Sequence, residues 1–296
     1  MELAFAFQTI IIPFGLFMIM MGLGLTLSID DILRVIIMPK AVLIGLIGQL
    51  LLLPAIAFLI AFLLNPAPVI AIGLVLLSAC PGGITSNAYV FASRGDIALS
   101  VTLTSIASLF TVVTMPFLAW LALATFADIG EIVNVPIANM MRSLAQLTIL
   151  PIILGMLTRK FKPDFAQKMV EPVRKMAIGI LIMVIAANTW FSIDTLKMYF
   201  VQAGIAALVL NLVCMSTGYS LSRLAKLNTD QTISITYEVG IQNLSLALVL
   251  ANTLLLVPDY AAVTLVYGFI MKFTALSFMA YARKLKGMDK AEAATA

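Results

Sequence analysis

The chain has 296 residues, of which 62% are hydrophobic and only 11% charged, with a formal net charge of +4. Soluble domains carry about 25% charged residues, so this composition excludes an ordinary soluble domain. The small positive charge needs no nucleic-acid partner, because basic residues gathered on one side of a membrane account for it. There is no histidine, which removes His-ligated haem, zinc–His centres and Ser–His or Cys–His catalysis.

Apolar runs of about 20 residues recur along the whole length, the pattern of an all-α polytopic membrane protein. Nine spans are expected, at about 4–28, 40–64, 68–93, 97–125, 135–158, 173–193, 197–222, 230–256 and 260–283. The first run, Leu3 to Leu27, follows Glu2 and is too long for a signal-peptide core, so it is expected to remain as a span. Asp30 and Asp31 follow it as a loop or helix cap. Span two holds Gln49. Span three is interrupted: Pro81, Gly82 and Gly83 stand in a row, with Ser86 and Asn87 just beyond. Proline lacks an N–H and glycine disfavours helix, so the backbone opens here. Open backbone at membrane depth persists only under protein or beside a watery cavity. Ser100 and Thr104 in span four are four residues apart and share a helix face.

The outer loops carry Asp128, Glu131 and Asp259, whereas Thr158 to Lys175 is a basic linker. With the N-terminus outside and the C-terminus cytoplasmic, the inner segments hold all eighteen basic residues except Arg142, Lys197 and Lys272. This places a multi-pass protein in the inner (cytoplasmic) membrane. Cys80 and Cys214 lie in apolar spans and imply no disulfide framework. Span eight repeats the irregularity of span three, with Glu238, Gly240, Gln242, Asn243 and Ser245 inside apolar sequence. Paired interrupted helices point to an inverted-repeat transporter with its site at the two breaks.

Glu238 is the one carboxylate placed well inside a span, and a carboxylate there is functional by default. Around it stand Ser86, Asn87, Ser100, Thr104, Gln242, Asn243 and Gln49, all hard oxygen or amide groups. Such a set suits a hard monovalent cation, sodium being the natural candidate, rather than zinc or copper. The same breaks leave half-helix N-termini that favour an anion.

Cys80–Asn87 (CPGGITSN), Gly95–Thr104 (GDIALSVTLT), Glu238–Asn243 (EVGIQN), Gln49 and Met21–Leu27 (MGLGLTL) together resemble the bile acid:sodium symporter family over essentially the whole chain. The resemblance implies broken helices that cross near the midplane and a core that moves against a panel. Residues 1–39 would be panel helix one and 40–127 core helices two to four, broken near 81–84. Residues 128–196 would be panel helices five and six, 197–285 core helices seven to nine, broken near 238–243, and 286–296 a disordered cytoplasmic tail.

The resemblance also implies two sodium sites. One comprises Ser86, Asn87, Ser100, Thr104 and Glu238; the other comprises Gln49, Glu238 and Gln242 with carbonyls of Val239 and Ile241. Substrate would meet Ile84, Thr85, Asn243 and Lys272. At two of these the chain departs from the family pattern, with Ile84 in place of Thr and Lys272–Phe273 in place of a His–Asn pair. For Lys272 three readings stand: a cation for the substrate's anionic group, an ion pair with Glu238, or a lysine snorkelling to water. The implied protein is a monomeric secondary active symporter, not an enzyme. It has no organic cofactor and imports a small carboxylate or sulfonate, bile-acid-like or smaller, with two Na+ ions by alternating access. The alternative is a proton-coupled or sodium-independent transporter or exporter of the same fold.

Overall fold

The computed structural model describes residues 7–127, 136–191 and 193–295, all helical apart from short connections. The expected outer-loop residues Asp128 and Glu131 lie outside the described residues. In chain order the helices are α1 (Ile12–Thr26), α2 (Ile29–Ile37), α3 (Pro39–Leu64), α4 (Pro68–Ser78), α5 (Ile84–Ala92) and α6 (Ile97–Phe126). They continue as α7 (Ile137–Phe161), α8 (Pro163–Phe191), α9 (Ile193–Leu224), α10 (Thr229–Gly240), α11 (Leu244–Val249) and α12 (Ala262–Thr295).

Among the described residues seven continuous stretches are long and apolar enough to cross a membrane. The chain is an all-α polytopic membrane protein. Two of the nine expected spans are not among the seven. The third is divided into α4 and α5 by Pro81, Gly82 and Gly83, and the sixth, within α8, begins among the charges of Glu171, Arg174 and Lys175. The last helix runs on to Thr295 and takes in most of the stretch expected as a tail. Its Lys–Ala–Glu–Ala–Ala sequence is made of strong helix formers.

Proline shapes the helices inside as well as at their ends. Wide π turns at Phe7–Ile11, Ile47–Leu52 and Ala145–Ile149 lie just before Pro13, Pro54 and Pro151. A proline ring collides with the carbonyl four residues back and cannot donate to it; a π turn gives that carbonyl room. The second of these turns carries Gln49.

α1 packs against α7 and α8, whereas α9 packs against α3, α10 and α12. The α1–α7 contact is backbone on backbone. A Cβ on Gly24 would stand 2.3 Å from the Ile152 carbonyl oxygen, and one on Gly155 would stand 2.6 Å from the Leu25 nitrogen. Small residues permit such close approach in membranes, where packing rather than water exclusion drives association. Gly155→Ala is therefore expected to lower thermal stability by about 1–3 kcal/mol, as overpacked cores do. Gly179→Ala, with nothing within 4 Å of the added Cβ, is expected to be neutral.

Charged ends tie helices together at the boundary. Ser28 caps α2 and forms a reciprocal pair with Asp31, whose carboxylate also meets Arg34 at 3.5 Å and Arg159 at 3.9 Å. Arg159 also donates to the carbonyl of Thr26 at the end of α1. Lys286 on α12 meets Asp230 on α10 at 2.7 Å. The outer faces are apolar, with Phe62, Phe91, Phe117, Trp190, Phe200 and Phe269 exposed as lipid contact demands. Every residue from Thr232 to Asn252 is buried, so the second broken helix is the centre of the fold.

Candidate functional site

The two breaks meet. α4 ends at Ser78 and helix resumes at Ile84; α10 ends at Gly240 and helix resumes at Leu244. The Asn243 N–H donates to the Pro81 carbonyl at 2.9 Å, joining one unwound segment to the other. Tyr237 on α10 stacks on Tyr89 of α5, with centroids 5.7 Å apart. Its hydroxyl lies 2.7 Å from Ser93 Oγ and 3.1 Å from the Ala275 carbonyl. α5, with the residue that caps its end, and α12 are thus fixed to α10 beside the crossing.

Glu238 is fully buried. Its Oε1 lies 2.6 Å from Ser86 Oγ and 2.7 Å from Ser100 Oγ, and its Oε2 lies 2.8 Å from Thr104 Oγ1. The same hydroxyls face other acceptors. Ser86 Oγ is 2.8 Å from the Gly83 carbonyl, Ser100 Oγ is 2.6 Å from Asn87 Oδ1, and Thr104 Oγ1 is 3.5 Å from Asn87 Oδ1. Six oxygen–oxygen contacts are therefore served by three hydroxyl protons. Each hydroxyl has one proton to give, so half the contacts have none. Among the described residues no lysine or arginine forms an ion pair with this carboxylate. The cluster has an excess of oxygen and a charge without a partner.

On the other side of the same carboxylate's backbone, three amide side chains hold three successive carbonyls. Gln49 Nε2 donates to Glu238 O at 3.3 Å, Gln242 Nε2 to Val239 O at 2.8 Å, and Asn211 Nδ2 to Gly240 O at 2.8 Å. All three amides are buried, and Gln49 Oε1, Gln242 Oε1 and Asn211 Oδ1 have no hydrogen-bond partner. Buried polar atoms are nearly always paired, so three such oxygens around one unwound segment mark a place for a donor or a cation. Gly48, next to Gln49, permits the approach: a Cβ there would stand 2.9 Å from Val239 Cγ2.

The remaining expected residues divide. Asn243 caps α11, its Oδ1 accepting from the Leu246 N–H at 3.2 Å, while its buried Nδ2 has no partner and remains free to donate. Ile84 is half-buried and Thr85 exposed at the start of α5. Lys272 is exposed on α12, between Phe269 and Leu276, and forms no ion pair among the described residues; the structure does not bring it to Glu238. Ser245 meets α1 and α8 around a void of about 10 Å³ lined by Ile12, Gly15, Ile180 and Val184. Among the described residues no group of three or more Cys, Asp or Glu side chains could hold a transition metal.

Sequence reasoning missed Asn211, Tyr267 and the particular role of Gly82. The first two are polar residues within apolar spans, which was a usable signal. Tyr267 is fully buried, and its hydroxyl donates to Gly240 O at 2.7 Å. Gly82 lies against the carboxylate itself: a Cβ there would be 2.4 Å from Glu238 Oε2.

Residues 13–199 match the model of the Sodium Bile acid symporter family. The "Uncharacterized sodium-dependent transporter YocS" of Bacillus subtilis (strain 168) is 32% identical over 238 residues, 79% of this chain and 71% of that one. The "Ileal sodium/bile acid cotransporter" of Homo sapiens is 26% identical over 283 residues, 93% of this chain and 80% of that one. The "Probable sodium/metabolite cotransporter BASS2, chloroplastic" of Oryza sativa subsp. japonica is 30% identical over 261 residues, 86% of this chain and 61% of that one. The chain spans about three fifths of the length of its chloroplast relatives. With more than half of its residues matched by the family model, the chain belongs to the Sodium Bile acid symporter family.

Proposed function

We propose that this protein is a sodium-coupled symporter that carries a small organic anion inward by alternating access, with two sodium ions bound at the crossing of the broken helices. The observation that carries this reading is the proton deficit around Glu238: six oxygen contacts, five of them within 2.8 Å, three hydroxyl protons and a buried carboxylate with no cationic side chain paired to it among the described residues. Protonating Glu238 would supply one more hydrogen. A bound monovalent cation faces several oxygens at once and also balances the charge, which favours sodium over proton coupling. Ser86, Asn87, Ser100, Thr104 and Glu238 form the first site. Gln49, Glu238 and Gln242 with the Val239 and Ile241 carbonyls form the second, and the unpartnered Gln49 and Gln242 oxygens support it.

The names of the relatives, a sodium-dependent transporter and sodium cotransporters, support the same coupling ion. The mutual packing of α1, α7 and α8 supports a panel against which the crossing helices move, and the placement of the basic residues supports a nine-span arrangement with the N-terminus outside. The substrate is a carboxylate or sulfonate whose anionic group takes the free Asn243 Nδ2 and the ammonium of Lys272. Ile84 and Thr85, at the N-terminus of α5, line its path.

The test is thermal stability of the purified protein in sodium against choline at matched ionic strength, followed by an anion screen in sodium. A rise specific to sodium is expected; stabilisation that follows pH instead, with no sodium effect, would replace the reading with proton coupling. Lys272→Ala is expected to weaken binding of the anion found in that screen by about tenfold, the worth of one charge-assisted hydrogen bond, and to leave sodium affinity unchanged. An unchanged anion affinity would make Lys272 a snorkelling lysine only.

A further inference from the structure

The neighbourhood of Gly240 contains a second device. Its carbonyl, at the last residue of α10, accepts two buried side-chain donors, Asn211 Nδ2 from α9 at 2.8 Å and the Tyr267 hydroxyl from α12 at 2.7 Å. Tyr267 Oη in turn accepts from Asn211 Nδ2 at 3.1 Å. One tyrosine and one asparagine therefore hold the backbone of the break from two different helices. Neither touches the Glu238 carboxylate, and both are fully buried. The arrangement leaves Gln242 Oε1 and Asn211 Oδ1 as the unpaired atoms, because every donor in the cluster is spent inward.

Helix packing alone has no use for this polarity. A Met, Leu or Phe pair would fill the same space without burying unpaired oxygens, and a half-satisfied polar network is worse for stability than an apolar core. What the cluster does accomplish is geometric. The carbonyls of Val239 and Ile241 lie one residue to either side of Gly240 and Gln242 is two residues on, so fixing the Gly240 carbonyl fixes the spacing of the oxygens around it. Spacing decides which monovalent cation an oxygen site accepts, since ions differ chiefly in radius. Gly240 itself admits no slack, because a Cβ there would stand 2.2 Å from Met215 Cγ of α9.

We propose that Asn211 and Tyr267 are positioning residues for the cation site at the second break and set its selectivity between sodium and lithium. The proposal rests on the sodium reading given above and concerns two residues outside its ligand set.

The experiment is titration of the purified full chain with sodium chloride and lithium chloride at constant ionic strength, with choline as balance and thermal stability as the readout. Wild type, Tyr267→Phe and Asn211→Ala are compared. Tyr267→Phe keeps the ring and removes only the hydroxyl, so it is the variant expected to fold; Asn211→Ala tests the same clamp from the other helix. Each is expected to raise the half-saturating sodium concentration by about tenfold, the worth of one buried hydrogen bond, and to shift the sodium-to-lithium affinity ratio by at least about threefold. A merely structural pair would lower stability in choline and leave the half-saturating concentrations and their ratio unchanged, and that result overturns the proposal. If wild type itself gains no stability from sodium, the sodium reading fails first, and this is seen before any variant is made.

Discussion

Glu238→Ala is expected to abolish both sodium-dependent stabilisation and sodium-driven uptake while leaving the protein folded. The argument for folding comes from the surplus acceptors. With the carboxylate gone, Ser86 still has the Gly83 carbonyl at 2.8 Å, and Ser100 still has Asn87 Oδ1 at 2.6 Å. Only Thr104 is left with a long contact, Asn87 Oδ1 at 3.5 Å, and a buried charge that cost desolvation has been removed. Stability in choline is therefore expected to hold or rise. The argument for lost function comes from position, since both proposed sites share the Glu238 carboxylate, which the substitution removes. A ligand that binds only the folded state at a hundredfold excess over Kd stabilises by about 2.7 kcal/mol, and that increment is expected to vanish. Glu238→Gln separates charge from shape: it keeps the volume, adds an amide donor and loses the charge, so it is expected to fold and to lose sodium as fully. Sodium-dependent uptake retained in either variant would sink the assignment of both sites.

Much of this arrangement is legible in the sequence because membranes punish exceptions. A run of Pro81, Gly82 and Gly83 within apolar sequence has few physical excuses, and neither does a lone mid-span carboxylate. Those two signals locate both breaks and the residue at their crossing. Helical spacing puts Ser100 and Thr104 on one face, and the structure brings both to Glu238.

What the sequence withholds is whatever depends on tertiary approach. The π turn that carries Gln49 is foreshadowed by Pro54, yet which neighbour its amide meets is settled only when α3 packs on the break. Asn211 and Tyr267 sit 56 residues apart on different helices, and nothing in the chain announces that they share one carbonyl. Lys272 illustrates the converse. Its mid-span position invites an ion pair with Glu238, but side-chain direction on α12 leaves it exposed. The extent of the last helix is a matter of local propensity, which a polar, charged tail masks.

The adjacent glycines of the first break make the sharpest contrast, since the sequence presents them as equivalents. A Cβ on Gly82 would stand 2.4 Å from Glu238 Oε2, 3.0 Å from Ser86 Oγ and 3.1 Å from Glu238 Cδ. A Cβ on Gly83 would find Asn243 side-chain atoms at 3.6 Å, an ordinary van der Waals distance, and Gly83 has φ −156°, an extended conformation open to any residue. Gly82→Ala must therefore displace something. Moving the carboxylate breaks its 2.8 Å contact with Thr104, and moving the backbone strains the 2.9 Å bond from Asn243 to Pro81. Either way the oxygen cluster opens. Gly82→Ala is expected to cost about 1–3 kcal/mol of stability in choline, as overpacking does, and to weaken sodium affinity by at least about tenfold, the equivalent of about 1.4 kcal/mol. Gly83→Ala is expected to fall within about 0.5 kcal/mol of wild type, as unstrained substitutions do, and to keep its sodium affinity. Sodium titrations of the two variants side by side read the difference. Equal loss at both would mean that the break needs two glycines for backbone freedom, and that contact between Gly82 and the carboxylate is incidental.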